Sequence, residues 1–181
     1  MVAALFLPFF ALRYADTLIR SYPMVNMKIG FFDSGIGGFS ILREVMQLLP
    51  MAEYFYIADD KFAPYGEKEQ SFILERAYII SGELVEKGIS LVVVACNTAT
   101  AQTINHLRTN FPHLKFVGVE PYLNILSKRP GLANKRGVVL VTKATFDSQK
   151  FNQLKAEVDP QNKILSYVPA KLAMLIEQLF W

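Results

Sequence analysis

Leu91-Val92-Val93-Val94-Ala95-Cys96-Asn97-Thr98 is the stretch on which the fold turns. It opens with five consecutive apolar residues, three of them valine. A strand with one wet face would alternate apolar and polar residues, so this run reads as a strand buried on both faces. Valine's branched Cβ favours extended backbone. The apolar run breaks at Cys96-Asn97-Thr98, and helical spacing follows from Thr98 to Asn110, before Pro112. A doubly buried strand that hands over to a helix is the repeating unit of a parallel sheet.

The same alternation extends in both directions. Upstream, Lys28 to Phe32 reads as a strand ending at Asp33, followed by a turn with Gly35, Gly37 and Gly38. Ser40 to Leu49 has helical spacing and closes at Pro50. Tyr54 to Ala58 is a second strand, and Ser71 to Glu86 a long helix with Gly88 just past its end, where a C-cap glycine belongs. Downstream, strands are expected at Lys115–Val119, Gly137–Val141 and Lys163–Val168. Helices are expected at Pro121–Ser127, Phe146–Glu157 and Pro169–Phe180, with a turn at Pro130-Gly131. The pattern predicts an α/β fold with a parallel sheet covered on both faces and right-handed connections. Ligands of such sheets gather at the carboxyl ends of the strands.

Composition narrows the class. With 52% hydrophobic and 19% charged residues, the 181-residue chain has enough apolar matter for a core and is not a disordered chain. A net charge of +3, evenly spread, gives no footprint for nucleic acid. The single cysteine, Cys96, excludes an internal disulfide framework and a CxxC metal site, and fits a reducing, cytoplasmic setting. Residues 1–26 differ from the rest. Val2 to Leu12 is apolar but shorter than the ~20 residues a membrane span needs. It lacks the preceding positive charge of a signal peptide. We expect translation to start at Met27 or Met24, with 1–26 an upstream extension. The alternative is an N-terminal helix packed on a partner, and N-terminal sequencing of protein from the native gene separates the two.

Polar residues cluster where the strands end: Asp33-Ser34, Asp59-Asp60 leading to Tyr65-Gly66, Cys96-Asn97-Thr98, and Thr142 with Thr145 nearby. In a parallel sheet these positions share one edge, so they can converge on one cleft. The turn Asp33-Ser34-Gly35-Ile36-Gly37-Gly38 lacks the third glycine of a dinucleotide fingerprint, since position 40 is serine, and it lacks the Gly-Lys-Ser/Thr of a P-loop. It remains a candidate anion nest, whose backbone N–H groups could hold a carboxylate. Asp33 could face an ammonium group or handle a proton, or could simply cap the helix with Ser34. Cys96 lies at a helix N-terminus, which would lower its thiol pKa from the usual ~8.5 and favour the thiolate. The competing reading is an inert buried cysteine. Asn97 and Thr98 are good N-cap residues that could bind a carboxylate. Tyr65-Gly66 is either a turn or a substrate contact. Asp59 and Asp60 could bind a metal or cap a loop, and two adjacent carboxylates are a poor metal signal. Thr142 and Thr145 read mainly as caps, and His106 and His113 as solvent-facing.

Four segments carry a family resemblance: Phe32-Asp33-Ser34-Gly35-Ile36-Gly37-Gly38, Pro64-Tyr65-Gly66, Val94-Ala95-Cys96-Asn97-Thr98-Ala99 and Gly118-Val119-Glu120-Pro121. In order and spacing they resemble the bacterial glutamate racemases of the aspartate/glutamate racemase superfamily, from about Met27 to Gln178. The resemblance implies two similar, pseudo-symmetric α/β domains with the site between them. Residues 27–119 would be the first and 120–181 the start of the second, both incomplete. It implies interconversion of L- and D-glutamate for peptidoglycan, no cofactor, no metal, no nucleic-acid or membrane partner, and a possible homodimer. Carried over, Cys96 would be one of two catalytic thiols, and Asp33, Ser34, Tyr65, Gly66, Asn97 and Thr98 would contact substrate. The sequence departs from the family in two places. It has no second cysteine, so it reads as truncated before the family's Cys-Thr-His element, with exposed apolar surface expected as a result. The family's Gly-Asp-Thr reads Ala58-Asp59-Asp60. An amino-acid-binding remnant, and a racemase of another acidic amino acid, stay open beside the glutamate reading.

Overall fold

Phe31 and Phe32 are adjacent in β1 (Lys28–Asp33), point to opposite sides, and are 0% and 1% exposed. A strand apolar on both sides belongs in the middle of a sheet. β1 accordingly lies between β2 (Glu53–Ala58) and β3 (Leu91–Val94), with β4 (Lys115–Gly118) beyond β3. All three pairings are parallel, and the register sets Phe32 level with both Ile57 and Val94. The computed structural model describes residues 27–121, 123 and 137–179. Residues 1–26, most of the expected helix at 121–127 and the expected turn at 130–131 lie outside that set.

The valine run does what its composition predicts. Val92 and Val94 join Phe32 on one side, under α2 (Gln70–Glu86) and α3 (Asn97–Asn110), with Ile73, Ile80, Leu84, Ile104 and Leu107. Leu91, Val93 and Ala95 join Ile29 and Phe31 on the other side, under Val45 and Leu49 at the end of α1 (Phe39–Leu48). Gly88 follows α2 with φ of +72°, a conformation that costs glycine no steric penalty. Each expected strand and helix of this part is present within a residue or so of its expected bounds.

The remaining strands form a separate pair. β5 (Gly137–Leu140) and β6 (Ile164–Tyr167) are parallel and hydrogen-bonded only to each other among the described residues. Two helices join them, α4 (Lys143–Phe146) and α5 (Gln149–Val158), where the periodicity predicts one helix over 146–157. The break has a local cause. Ser148 leaves helical geometry (φ −70°, ψ 139°), and its Oγ accepts the Phe151 N–H at 3.2 Å, an N-cap that starts a fresh helix. The last helix, α6 (Leu172–Gln178), is shorter than the expected 169–180.

Val139, Val141, Phe151 and Ile164 form a third cluster beneath the β5–β6 pair. The opposite face is uncovered: Val138, Leu140, Leu165 and Tyr167 are each more than half exposed. The expectation that parallel strands are covered on both faces therefore holds for β1–β4 and fails for β5–β6. No helix among the described residues is long and apolar enough to cross a membrane.

Candidate active site

The strand order β2-β1-β3-β4 reverses direction at β1. From β1 the chain goes first to β2 on one side, then to β3 on the other. Loops leaving the carboxyl ends of β1 and β3 therefore part in opposite directions and leave a crevice between them. Asp33-Ser34 ends β1 and Cys96 follows β3, so the topology carries all three to that crevice. Ser34 Oγ and Cys96 Sγ are 3.4 Å apart across it, although 62 residues separate them.

Cys96 is itself the N-cap of α3, where Asn97 or Thr98 was expected. Its backbone is extended (φ −85°, ψ 120°) and its Sγ accepts the Ala99 N–H at 3.4 Å. The expectation of a lowered thiol pKa is overturned. The side chain is buried, and burial pushes the Cys96 thiol up to about 11, reinforced by the neighbouring Asp33. Hydrogen bonds from Ser34 and from the Ala99 amide pull the other way but do not win. Removing water from an ionisable thiol disfavours the thiolate more than one helix N-terminus restores it.

This shift has a consequence for stability. In the unfolded chain a cysteine thiol loses its proton near pH 8.5, whereas the native thiol keeps it to about 11. Between those values the unfolded state binds fewer protons, so stability falls as pH rises, and below pH ~8.5 the contribution is fully present. Urea midpoints measured from pH 8 to 11 are expected to fall less steeply for Cys96→Ala than for the unaltered chain. Parallel curves would refute the shift.

Asp33 is 4% exposed, and its Oδ2 accepts the Gly35 and Gly38 N–H groups at 3.0 and 3.1 Å. It therefore closes the turn that leads into α1, whose N-cap is Gly38, while Ser34 Oγ faces Cys96, so the alternative in which Asp33 and Ser34 cap the helix is not what the structure shows. Burial nevertheless raises the Asp33 pKa above the usual carboxylate range against those hydrogen bonds. Gly38 has no room for a side chain. A Cβ built there would lie 2.6 Å from the Tyr56 hydroxyl, 2.8 Å from Asp33 Cβ and 3.0 Å from Ala95 Cβ. Tyr56 is itself held by its hydrogen bond to the Gly35 carbonyl (3.1 Å) and by stacking on Phe39. Gly38→Ala is expected to cost about 1–3 kcal/mol by overpacking. A thermal melt should show Tm lowered by several degrees, and an unchanged Tm would mean the turn is looser than this.

The Pro-Tyr-Gly loop forms the next wall. Tyr65 is 1% exposed, its ring edge-on to Phe32, and its hydroxyl donates to Asp59 Oδ2. Asp59 in turn accepts from Arg76 of α2 at 2.9 and 2.7 Å. Asp59 thus makes an ion pair with Arg76, a role that neither the metal nor the loop-cap reading named, and its side chain caps no turn. Among the described residues no group of three or more His, Cys, Asp and Glu is placed to hold a metal. Gly66 faces Thr142, and a Cβ on Gly66 would lie 2.8 Å from that side chain.

Thr142 and Thr145 were expected mainly as caps. Thr142 does cap α4, its Oγ1 accepting the Thr145 N–H at 3.3 Å. Both also reach across to the cysteine loop. Thr98 Oγ1 is 2.9 Å from Thr142 Oγ1 and 3.3 Å from Thr145 Oγ1. Asn97 is exposed, while Thr98 is buried among these hydroxyls. His106 and His113 are exposed, as expected. Glu120 pairs with Lys150 at 2.6 Å. Sequence reading missed Glu177 of α6, whose carboxylate Oε2 accepts the Ile36 N–H in the glycine turn at 3.3 Å. Nothing local marked it, because the contact spans 141 residues.

No family model matches the chain. Individual proteins do. It is 40% identical over 158 residues to glutamate racemase of Aliarcobacter butzleri, covering 84% of this chain and 59% of that protein. It is 41% identical over 159 residues to glutamate racemase of Cupriavidus pinatubonensis, covering 86% and 57%. The crystal structure of Escherichia coli glutamate racemase with L-glutamate and the activator UDP-MurNAc-Ala superposes with a TM-score of 0.74 at 32% identity, over 83% of this chain and 56% of that one. The chain is related to the glutamate racemases. It has their α/β parallel-sheet fold, and it spans 57–59% of the length of these two curated racemases. Of the four motif segments, the glycine turn and the Cys-Asn-Thr segment meet at the switch point through Ser34 and Cys96, and the Pro-Tyr-Gly loop packs beside them through Tyr65 against Phe32. The fourth, 118–121, lies at the end of β4, beyond β3, and Asn97 is exposed.

Proposed function

We propose that the chain carries one half of a glutamate racemase site. In this reading Cys96 moves the α-proton on one face of glutamate, and Asp33, Ser34, Tyr65, Gly66, Asn97 and Thr98 bind the substrate. The observation that carries it is the Cys96 thiol held beside Ser34 and Asp33 at the switch point, in a chain related to racemases. On this reading the reaction supplies D-glutamate for peptidoglycan precursors. The homodimer implied by the resemblance is a proposal on the same footing.

The chemistry follows from the residues. An α-proton next to a carboxylate is very weakly acidic, so the charge that develops on its removal has to be met by fixed donors. The buried thiol holds its proton at neutral pH and is ready to deliver it to a carbanion. To act as base it must first lose that proton. An ammonium group arriving beside Asp33 and Cys96 would lower both pKa values, because an adjacent positive charge favours the ionised forms. Inversion needs proton removal on one face and delivery on the other. One fixed base returns the proton to the face it left, and the 181 residues contain one cysteine.

The test is proton NMR of L-glutamate with the purified chain in D2O. We expect the α-proton signal to wash out faster than D-glutamate accumulates. Absence of both would favour the second reading, an amino-acid-binding protein that does not catalyse. That reading draws support from the thiol being held protonated to about pH 11. Faster exchange with another acidic amino acid would move the assignment to that substrate.

A further inference from the structure

The amide nest expected at the glycine turn is filled from within the chain. Asp33 takes the Gly35 and Gly38 N–H groups, and the Ile36 N–H goes to Glu177 Oε2. The fit is close. A Cβ built on Gly35 would lie 2.2 Å from Glu177 Oε1 and 2.3 Å from Oε2, so the carboxylate rests directly on backbone that only glycine leaves bare. Tyr56, hydrogen-bonded to the Gly35 carbonyl, has its pKa raised in part by the same negative charge. The helix that delivers Glu177 is weakly seated. No residue of α6 is buried, and Leu175 and Leu179 beside it are 52% and 80% exposed. A carboxylate on a loosely packed helix can leave its amide without dismantling a core.

We propose that Glu177 is an internal latch. Its carboxylate occupies the mouth of the cleft in the free chain, and an amino acid with a side-chain carboxylate enters by displacing it. The inference rests on the reading of the cleft as a glutamate site. The occupying group is chemically the end of a glutamate side chain, so the Ile36 N–H that holds it is a donor that a ligand's side-chain carboxylate can take in its place. A ligand that binds only the unlatched state has its apparent affinity reduced by the unlatched fraction, and removing the latch restores it.

The experiment is amide NMR of the unaltered chain, Glu177→Ala and Glu177→Gln, each titrated with L-glutamate. Without ligand, the Ile36 amide should move in Glu177→Ala while amides of β1–β4 stay in place. With ligand, Glu177→Ala should bind L-glutamate roughly 3- to 10-fold more tightly than the unaltered chain. Glu177→Gln, which keeps an oxygen acceptor but no charge, should fall between. An Ile36 amide indifferent to Glu177→Ala would overturn the contact. A moved amide with unchanged or weaker L-glutamate binding would overturn the latch while leaving the glutamate site standing. A moved amide with no L-glutamate binding by any of the three would overturn the glutamate site, and displacement with it.

Discussion

Cys96→Ala should abolish exchange of the glutamate α-proton with D2O while leaving the fold intact. General acid–base groups contribute about 10²- to 10⁴-fold, so exchange should drop at least a hundredfold and become indistinguishable from buffer. Losing the fold is not the expected cause. The thiol is buried, but alanine fills most of its volume, and the Ala99 amide that Sγ accepts lies in the first turn of α3, where side-chain caps are worth ~1 kcal/mol. Circular dichroism of the variant should match the unaltered chain. Cys96→Ser sharpens the test. It keeps a hydroxyl near Ser34 Oγ but is far less acidic, so a cleft that used the side chain only for binding would keep its function. Retained exchange in Cys96→Ala would remove the thiol from the chemistry altogether.

Arg76→Ala should be the most damaging single change to stability. It strips both hydrogen bonds from Asp59, a carboxylate 6% exposed, and leaves a buried charge whose other named partner, Tyr65, is a single neutral hydroxyl. Breaking a buried pair from one side costs about 3–5 kcal/mol. The guanidinium side chain is 20% exposed, so water can reach in, and the lower end of that range, ~3 kcal/mol, is expected. Urea denaturation should show the loss, with Arg76→Lys recovering part of it through its charge but not its two-pronged geometry. Asp59→Asn with Arg76→Ala should be milder than Arg76→Ala alone, because the stranded charge is gone. Equal losses would mean that the ion pair is not what holds the Pro-Tyr-Gly loop.

The sheet was legible because its signal is local. Val92, Val93 and Val94 had to be buried on both sides, and polar residues marked the ends of β1, β2, β3 and β5. The glycine turn could be cleared of nucleotide readings by Ser40, where a dinucleotide fingerprint needs glycine, and by the missing Gly-Lys-Ser/Thr of a P-loop. Four features were not legible, each for a physical reason. The break between α4 and α5 depends on Ser148 choosing a cap over helix continuation, and periodicity cannot register that choice. The direction of the Cys96 shift depends on how deeply the thiol is buried, whereas sequence shows only the helix start that opposes it. The Glu177 contact depends on how α6 returns to the first turn, which no motif encodes. The division of strands between two sheets was not legible in the alternation, which does not say which strands pair.

Three threonine hydroxyls, Thr98, Thr142 and Thr145, stand within 3.3 Å of one another where the cysteine loop meets the loop after β5. In both of its contacts Thr98 can be either giver or receiver of the proton. A hydroxyl hydrogen turns about one C–O bond without moving any heavier atom. The wall they form therefore has a reversible polarity. It can offer a lone pair to a cation or, by giving up one internal hydrogen bond, a proton to an anion. An α-amino acid brings both kinds of group on one carbon, and on the proposed reading of the cleft a wall of this kind can answer either as the molecule turns.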